Sequence, residues 1–108
     1  MCLEWIEVAE EEVYGKSNMT IEEIIQQVTS ICKKNGVEHL SLFGSYAKGT
    51  ATRYSDIDFI VYGQVDIEYL QEQVDEIMTL KKIDLFEYDM CLNQYLKEDM
   101  DKYGRKIY

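Results

Sequence analysis

The amino-acid sequence predicts one α/β domain, an α+β fold in which a small mixed β-sheet of three to four strands is flanked by helices. Two observations support this fold class. The chain has 108 residues, of which 46% are hydrophobic, so it is long enough for one domain with a core. Segments with helical spacing of apolar residues also alternate with short apolar strands. We place the domain at residues 20–108 and treat residues 1–19 as an N-terminal extension.

The first helix is predicted over residues 21–35. Thr20 and Glu23 have the spacing of a capping box, in which the threonine caps the helix and the glutamate reaches back to it. Gly36 supplies the stop. The apolar stripe that should face the core consists of Ile21, Ile24, Ile25, Val28, Ile31 and Cys32.

Three strands are predicted in the rest of the chain, at residues 37–43, 57–62 and 82–88. Each is a short apolar run bounded by glycine or polar residues. A short helix at 45–48 follows the first strand, and residues 105–108 are predicted to add a short edge strand.

Two further helices are predicted from helical spacing. Asp66 caps the first of them, and the second covers residues 91–103 and ends at Gly104. The first is expected to bury Ile67, Leu70, Val74, Ile77 and Met78. The second is expected to place Leu92, Tyr95, Leu96 and Met100 on one apolar face.

The charge and cysteine content narrow the class of function. A net charge of −10 repels phosphate backbones, so direct binding of nucleic acid is not expected, whereas a basic protein partner would be attracted. The three cysteines are widely spaced and favour a reduced cytoplasmic protein over a zinc site or a disulfide framework. No apolar stretch approaches the roughly 20 residues of a membrane span, so no membrane association is expected.

Two aspartates carry the first chemical signal. Asp56 and Asp58 stand two residues apart at the start of a strand, so their carboxylates share a face. Carboxylates held this close repel each other, and a hard divalent cation relieves the repulsion. Mg²⁺ is commonly held by one or two carboxylates together with substrate phosphates. The alternative is a solvent-exposed pair of turn residues.

The turn at Gly44-Ser45 carries the second signal. A glycine between a strand and a short helix allows close approach of a ligand, and free N–H groups at a helix start suit phosphate. The alternative is an ordinary turn with a serine cap. Lys48 and Arg53 are the nearest basic residues, and they either meet triphosphate oxygens or are solvated loop charges.

Asp84 carries the third signal, because an ionised aspartate on an otherwise apolar strand needs a partner. If its strand lies next to the strand of Asp58, three carboxylates converge near the turn, as two-metal displacement at phosphorus requires. The alternatives are an exposed strand face, or pairing of Asp84 with Lys81 or Lys82.

These three signals together resemble a known superfamily. Gly44-Ser45, ten intervening residues and Asp56-Ile57-Asp58 match the G-S-x10-D-x-D signature of DNA polymerase β-like nucleotidyltransferases. The segment GSYAKGTATRYSDIDFIVYG resembles the minimal nucleotidyltransferases (MNT), which are the antitoxins of HEPN–MNT toxin–antitoxin modules. Their third acidic residue lies on a later strand, as Asp84 does. Lys48 departs from the arginine that many members carry, and lysine lacks the bidentate fork.

The resemblance, which covers about residues 20–108, implies a nucleotidyltransferase fold and a magnesium-dependent enzyme. Two Mg²⁺ ions would be held by Asp56, Asp58 and Asp84, which are also the catalytic residues. ATP would be the substrate, bound by Gly44, Ser45, Lys48 and Arg53. The partner would be a HEPN-type toxin, a basic ribonuclease that is neutralised by AMPylation of a tyrosine.

Two other functions stay open at this point. A binding antitoxin would block its toxin with its acidic surface and keep a vestigial site, although all three aspartates are present. A small-molecule nucleotidyltransferase of the aminoglycoside-modifying kind usually needs a second domain or a dimer cleft, for which this chain has no room.

Overall fold

The computed structural model describes residues 19–108, so the predicted extension, residues 1–19, lies outside the described residues except for Met19. Its four strands form one sheet in the order β3-β2-β1-β4. The predicted α+β fold, with a mixed sheet flanked by helices, is confirmed. The elements are α1 (Ile21–Lys34), β1 (His39–Phe43), α2 (Gly44–Lys48), β2 (Ile57–Tyr62), α3 (Ile67–Asp75), β3 (Ile83–Glu87), α4 (Gln94–Tyr103) and β4 (Arg105–Lys106).

The first helix forms as its sequence predicts. The Thr20 hydroxyl accepts a hydrogen bond from the backbone N–H of Glu23, and the Glu23 carboxylate accepts one from the backbone N–H of Thr20. This capping box satisfies two N–H groups that a helix start otherwise leaves unpaired. Cys32 is buried, and burial raises the pKa of its thiol to about 11. The expectation that Cys32 fills the core is confirmed.

One of the two faces of the sheet supplies much of the hydrophobic core. β1 runs antiparallel to both β2 and β4, whereas β2 and β3 are parallel. Side chains alternate between faces along each strand. The core face packs against α1 and α3 through Leu40, Leu42, Ile57, Phe59, Val61 and Ile83. We call the opposite side the open face, and its strand residues include Ser41, Phe43, Asp58, Ile60, Asp84 and Phe86.

Helix α4 covers part of the open face. Ile60 and Met100 are both buried, and a Cβ at Gly104 would lie 3.1 Å from the Ile60 side chain. The C-terminal end of α4 therefore packs over the middle of β2. The same end of α4 also contacts α2, because the Lys48 ammonium lies 4.7 Å from the centre of the Tyr103 ring.

The structure departs from two of the predicted helices. The predicted buried stripe of α3 includes Met78, but the helix ends at Asp75 and Met78 is exposed. The predicted helix at 91–103 begins at Gln94, so Leu92 precedes α4 and is exposed; on α4 itself Tyr95 is exposed, Leu96 is half-buried and Met100 is buried. The physical reason is that α4 meets the sheet at one place, over Ile60, and its other apolar positions have no layer of described residues to pack against. No helix of residues 19–108 is long and apolar enough to cross a bilayer.

One edge of the sheet is covered by a single side chain from α3. The Lys82 carbonyl and the Tyr88 N–H form hydrogen bonds with β2. Backbone groups alternate in direction along a strand, so those of Ile83 and Leu85 point away from β2. Gln71 bonds to both of them. Its amide nitrogen donates to the Ile83 carbonyl at 2.8 Å, and its amide oxygen accepts from the Leu85 N–H at 3.2 Å. Gln71 therefore occupies two of the backbone groups on the outer side of β3.

Candidate active site

Carboxylates from two strands meet on the open face. Asp58 on β2 is in direct register with Asp84 on the parallel strand β3, and both side chains are half-buried. The prediction that the strand of Asp84 lies beside that of Asp58 is therefore confirmed. Asp56 stands one residue before β2 and is exposed.

Burial and the neighbouring carboxylates both affect the protonation of Asp58. Burial, followed by the negative charges of Asp84 and Asp56, raises the pKa of the Asp58 carboxyl, and Lys82 partly opposes the rise. The charged form of Asp58 is thus disfavoured in the folded protein. A cation at this place would stabilise it.

The glycine turn lies against the same carboxylate. Gly44 has a φ of +69°, a conformation that favours glycine, and a Cβ at this position would overlap Oδ2 of Asp58. Phe43, the N-cap of α2, makes no side-chain capping hydrogen bond within the described residues. Ser45 follows in the first turn and is half-buried. The absence of a side chain at Gly44 is what brings the start of α2 into contact with Asp58.

The candidate ligands fit a hard cation by their chemistry. All are carboxylate oxygens, which Mg²⁺ prefers over nitrogen or sulfur ligands. Within residues 19–108, no group of three or more His, Cys, Asp or Glu side chains is arranged as a complete metal site. The carboxylates therefore suit a cation that takes further ligands from water and phosphate oxygens, as Mg²⁺ commonly does.

The two predicted basic residues lie on different segments. Lys48 ends α2 and contacts Tyr103, as described above. Arg53 is exposed in the loop before Asp56, with its guanidinium 5.8 Å from the centre of the Tyr54 ring. Neither forms a salt bridge among the described residues. A role for either residue in phosphate binding stays a prediction.

Lys82 is the observed partner of Asp84, which was one of the alternatives raised by the sequence. Its ammonium lies 3.7 Å from Oδ1 of Asp84, and the Lys82 side chain is 70% exposed. So exposed a pair contributes little to stability. Lys82 can therefore leave Asp84 at small cost when another cation takes its place.

Two features beside the carboxylates were missed by the sequence analysis. Lys81 donates to the carbonyl oxygen of Arg53 at 3.0 Å and lies 5.6 Å from the centre of the Tyr46 ring, so it ties the loop before β2 to the segment before β3. Phe43 and Phe86 pack edge-to-face on the open face, with centroids 6.1 Å apart. The available signals were the paired lysines before an acidic strand and the aromatic residues at open-face positions.

A mixed sheet that holds a glycine turn against register-matched aspartates is an arrangement suited to the class of enzymes that act on phosphate esters. Comparison with known families makes this assignment specific. The chain belongs to the nucleotidyltransferase domain family, which matches residues 24–108. The predicted superfamily and enzyme class are therefore confirmed.

Individual relatives agree with this family. The chain is 35% identical over 95 residues to "Putative protein adenylyltransferase MJ1379" of Methanocaldococcus jannaschii, covering 81% of this chain and 94% of the relative. It is 34% identical over 76 residues to "Putative protein adenylyltransferase MJ0435" of the same organism, covering 66% and 81%.

Solved structures agree on the fold. A crystal structure of a toxin–antitoxin with AMP-PNP has a TM-score of 0.65 at 22% identity, covering 77% of this chain and 71% of that one. A variant of the toxin–antitoxin MntA-HpeT has a TM-score of 0.63 at 18% identity, covering 77% and 70%. The predicted nucleotidyltransferase fold is confirmed.

Proposed function

We propose that this chain is a magnesium-dependent protein adenylyltransferase, an antitoxin that transfers AMP from ATP to a tyrosine of a HEPN-type ribonuclease toxin and so neutralises it. The observation that carries the proposal is the contact between the Gly44 turn and Asp58, because it joins a backbone suited to phosphate with carboxylates suited to a cation. The name of the M. jannaschii relatives and the toxin–antitoxin structures of similar fold support the same function. The proposed catalytic domain is residues 20–108.

In this proposal the chain acts mainly by positioning charged groups. Gly44 and Ser45 hold the β- and γ-phosphates, with Lys48 and Arg53 as further phosphate contacts. Asp56, Asp58 and Asp84 would hold two Mg²⁺ ions, which when bound supply positive charge to the triphosphate and to the acceptor oxygen. The acceptor hydroxyl oxygen forms a bond to the α-phosphorus as the bond from that phosphorus to the α–β bridging oxygen breaks, so that pyrophosphate leaves. In this proposal Asp84 either accepts the hydroxyl proton or acts on the acceptor side while the proton passes to solvent.

The acceptor in this proposal is a protein that brings its own hydroxyl to the site. The described residues form one sheet with its helices, and part of the open face beside the carboxylates is accessible. The net charge of −10 favours a basic protein over nucleic acid. We place this reaction in the cytoplasm, in keeping with the wide spacing of the three cysteines in the sequence, which favours a reduced protein.

Incubation of the partner toxin with this chain, ATP and Mg²⁺ is expected to raise the partner's intact mass by one or more AMP units, because the site is built to transfer a nucleotide. Fragment mass spectrometry should locate the added group on a tyrosine. The matched control replaces Mg²⁺ with EDTA. An unmodified partner whose toxicity is still suppressed would point to the binding antitoxin instead, and modification of an aminoglycoside would point to the small-molecule transferase.

At concentrations of about a hundred times Kd, Mg²⁺ and ATP together are expected to raise the melting temperature of the chain by roughly 10–20 °C. A ligand at a hundred times its Kd adds about 2.7 kcal/mol to the free energy of unfolding, and about 1 kcal/mol corresponds to roughly 4–8 °C in a domain of this size. ATP with EDTA should give a much smaller shift, because the carboxylates repel the triphosphate. A thermal melt with no Mg²⁺-dependent shift at millimolar ATP would contradict the assigned site.

A further inference from the structure

A cluster of large apolar side chains is exposed around the start of α4. Met90 is 70% exposed, Leu92 99% and Tyr95 82%. Single exposed apolar residues are common, whereas several large ones close together are typical of surfaces at which proteins contact other molecules, and these three lie within six consecutive residues. We call these three residues the α4 patch.

The position of α4 connects this patch to the candidate active site. The C-terminal end of the helix packs over Ile60 on the open face and contacts Lys48 at the end of the glycine turn helix. The 10 residues of α4 span about 15 Å. Met90 and its groove lie beyond the C-terminal ends of β2 and β3, whereas Asp58 and Asp84 lie near the starts of these strands. A partner that acts at the carboxylates must therefore extend along the open face. A standard protein interface, which buries about 800 Å² on each partner and is roughly 30 Å across, is wide enough for this.

The rim of the patch is acidic. Between residues 87 and 102 the chain has five acidic side chains and two lysines. A groove of about 580 Å³ adjoins Met90 and is lined by Asp66, Glu87 and Asp89 among others. An apolar centre within a charged rim is the usual construction of a protein interface, and the sign of the rim selects a basic partner.

We propose that the α4 patch is the docking surface for the basic acceptor protein, with the apolar residues as anchors and the adjoining groove as the place for a lysine or arginine of that protein. The identity of the partner as the acceptor rests on the proposed function. A second copy of this chain is disfavoured as the occupant, because symmetric pairing would bring two acidic rims together.

The test compares the double variant Leu92→Ser/Tyr95→Ser with the control Tyr69→Ser. Tyr69 is also a helix tyrosine, 55% exposed, but it lies on α3 against the other face of the sheet. Affinity for the HEPN-type toxin of the proposed function is measured by calorimetry at low and physiological salt. Loss of apolar anchors should weaken binding by about tenfold or more and raise KM for the partner. It should leave kcat at saturating partner and the Mg²⁺–ATP melting shift unchanged. The control should bind within about twofold of the parent.

Parent-like binding by the double variant would overturn the docking surface. Two other results would also overturn it. One is self-association of the parent protein, measured by analytical ultracentrifugation, that is lost in the double variant. The other is failure of the parent protein to bind the toxin. The failure of the proposed function looks different. In that case the parent binds the toxin and the double variant does not, but the toxin's mass stays unchanged in the presence of ATP and Mg²⁺.

Discussion

Replacing Asp58 with asparagine is expected to abolish nucleotide transfer and, in the absence of metal, to raise the melting temperature. Asparagine keeps the shape of the side chain but removes the charge that holds a cation. The same charge is unfavourable in the metal-free protein, since burial and the charges of Asp84 and Asp56 raise the pKa of the Asp58 carboxyl. Binding of the partner should survive, because Asp58 lies outside the α4 patch.

The sign of the stability effect follows from proton linkage. A carboxyl whose pKa is higher in the folded than in the unfolded protein binds a proton more readily when folded. Its favourable contribution to the free energy of unfolding is therefore complete when the pH is below the pKa in the unfolded protein. This contribution is lost as the pH rises through the pKa in the folded protein. At neutral pH the parent carries the full cost of the charged carboxylate, and Asp58→Asn does not.

Thermal melts in EDTA from about pH 3 to neutral test this directly. The advantage of Asp58→Asn over the parent should be largest at neutral pH and should shrink as pH falls. With Mg²⁺ and ATP added, the parent should become the more stable of the two. Glu72→Gln, at an exposed position on α3, controls for the loss of one negative charge. A variant that still transfers AMP, or that melts below the parent in EDTA at neutral pH, would contradict the role of Asp58.

Gly44→Ala is expected to reduce transfer by about a hundredfold or more, since small displacements of reacting groups can cost that much. The new Cβ would overlap Oδ2 of Asp58 and force the carboxylate away from the turn. The variant should also lose stability, from the positive φ at about 1–2 kcal/mol and from overpacking at about 1–3 kcal/mol.

Gly49→Ala is the matched control, because this glycine has nearly the same φ angle as Gly44. Gly49 has a φ of +76°, but no described atom lies within 4 Å of a Cβ at that position. It should suffer the backbone strain alone and keep transfer within a few-fold of the parent. Denaturant unfolding and the AMP-transfer assay together separate strain from displacement of Asp58. Equal transfer by the two variants would show that the turn at Gly44 does not serve the site.

Local signals in the sequence were sufficient for most of the fold. The capping box at Thr20 and Glu23 and the bounds of β2 match the structure, because helix caps and short apolar runs are encoded by neighbouring residues. The juxtaposition of Asp58 and Asp84 was also predicted, since it needs only that their strands be neighbours. The contact between Gly44 and Asp58 is known only from the structure, because the separation of the two residues in the sequence does not specify how close the turn lies to the carboxylate.

Other features depend on what surrounds an element rather than on the element itself. Helical spacing placed Leu92 and Tyr95 on an apolar face, but periodicity does not say whether another layer covers that face. The bond from Lys81 to the Arg53 carbonyl crosses 28 positions of sequence, and nothing in either segment encodes it. Long-range side-chain contacts of this kind become visible only when the chain is folded.

The amide of Gln71 has a consequence for how the molecule behaves at high concentration. An uncovered edge strand is a template on which strands of other chains assemble into aggregates. Gln71 takes up an N–H and a C=O that an incoming strand would need, and the opposite edge is limited to the two charged residues Arg105 and Lys106. Strand addition is thus hindered at one border of the described sheet and given little length at the other, so the edges of this sheet are poor starting points for aggregation.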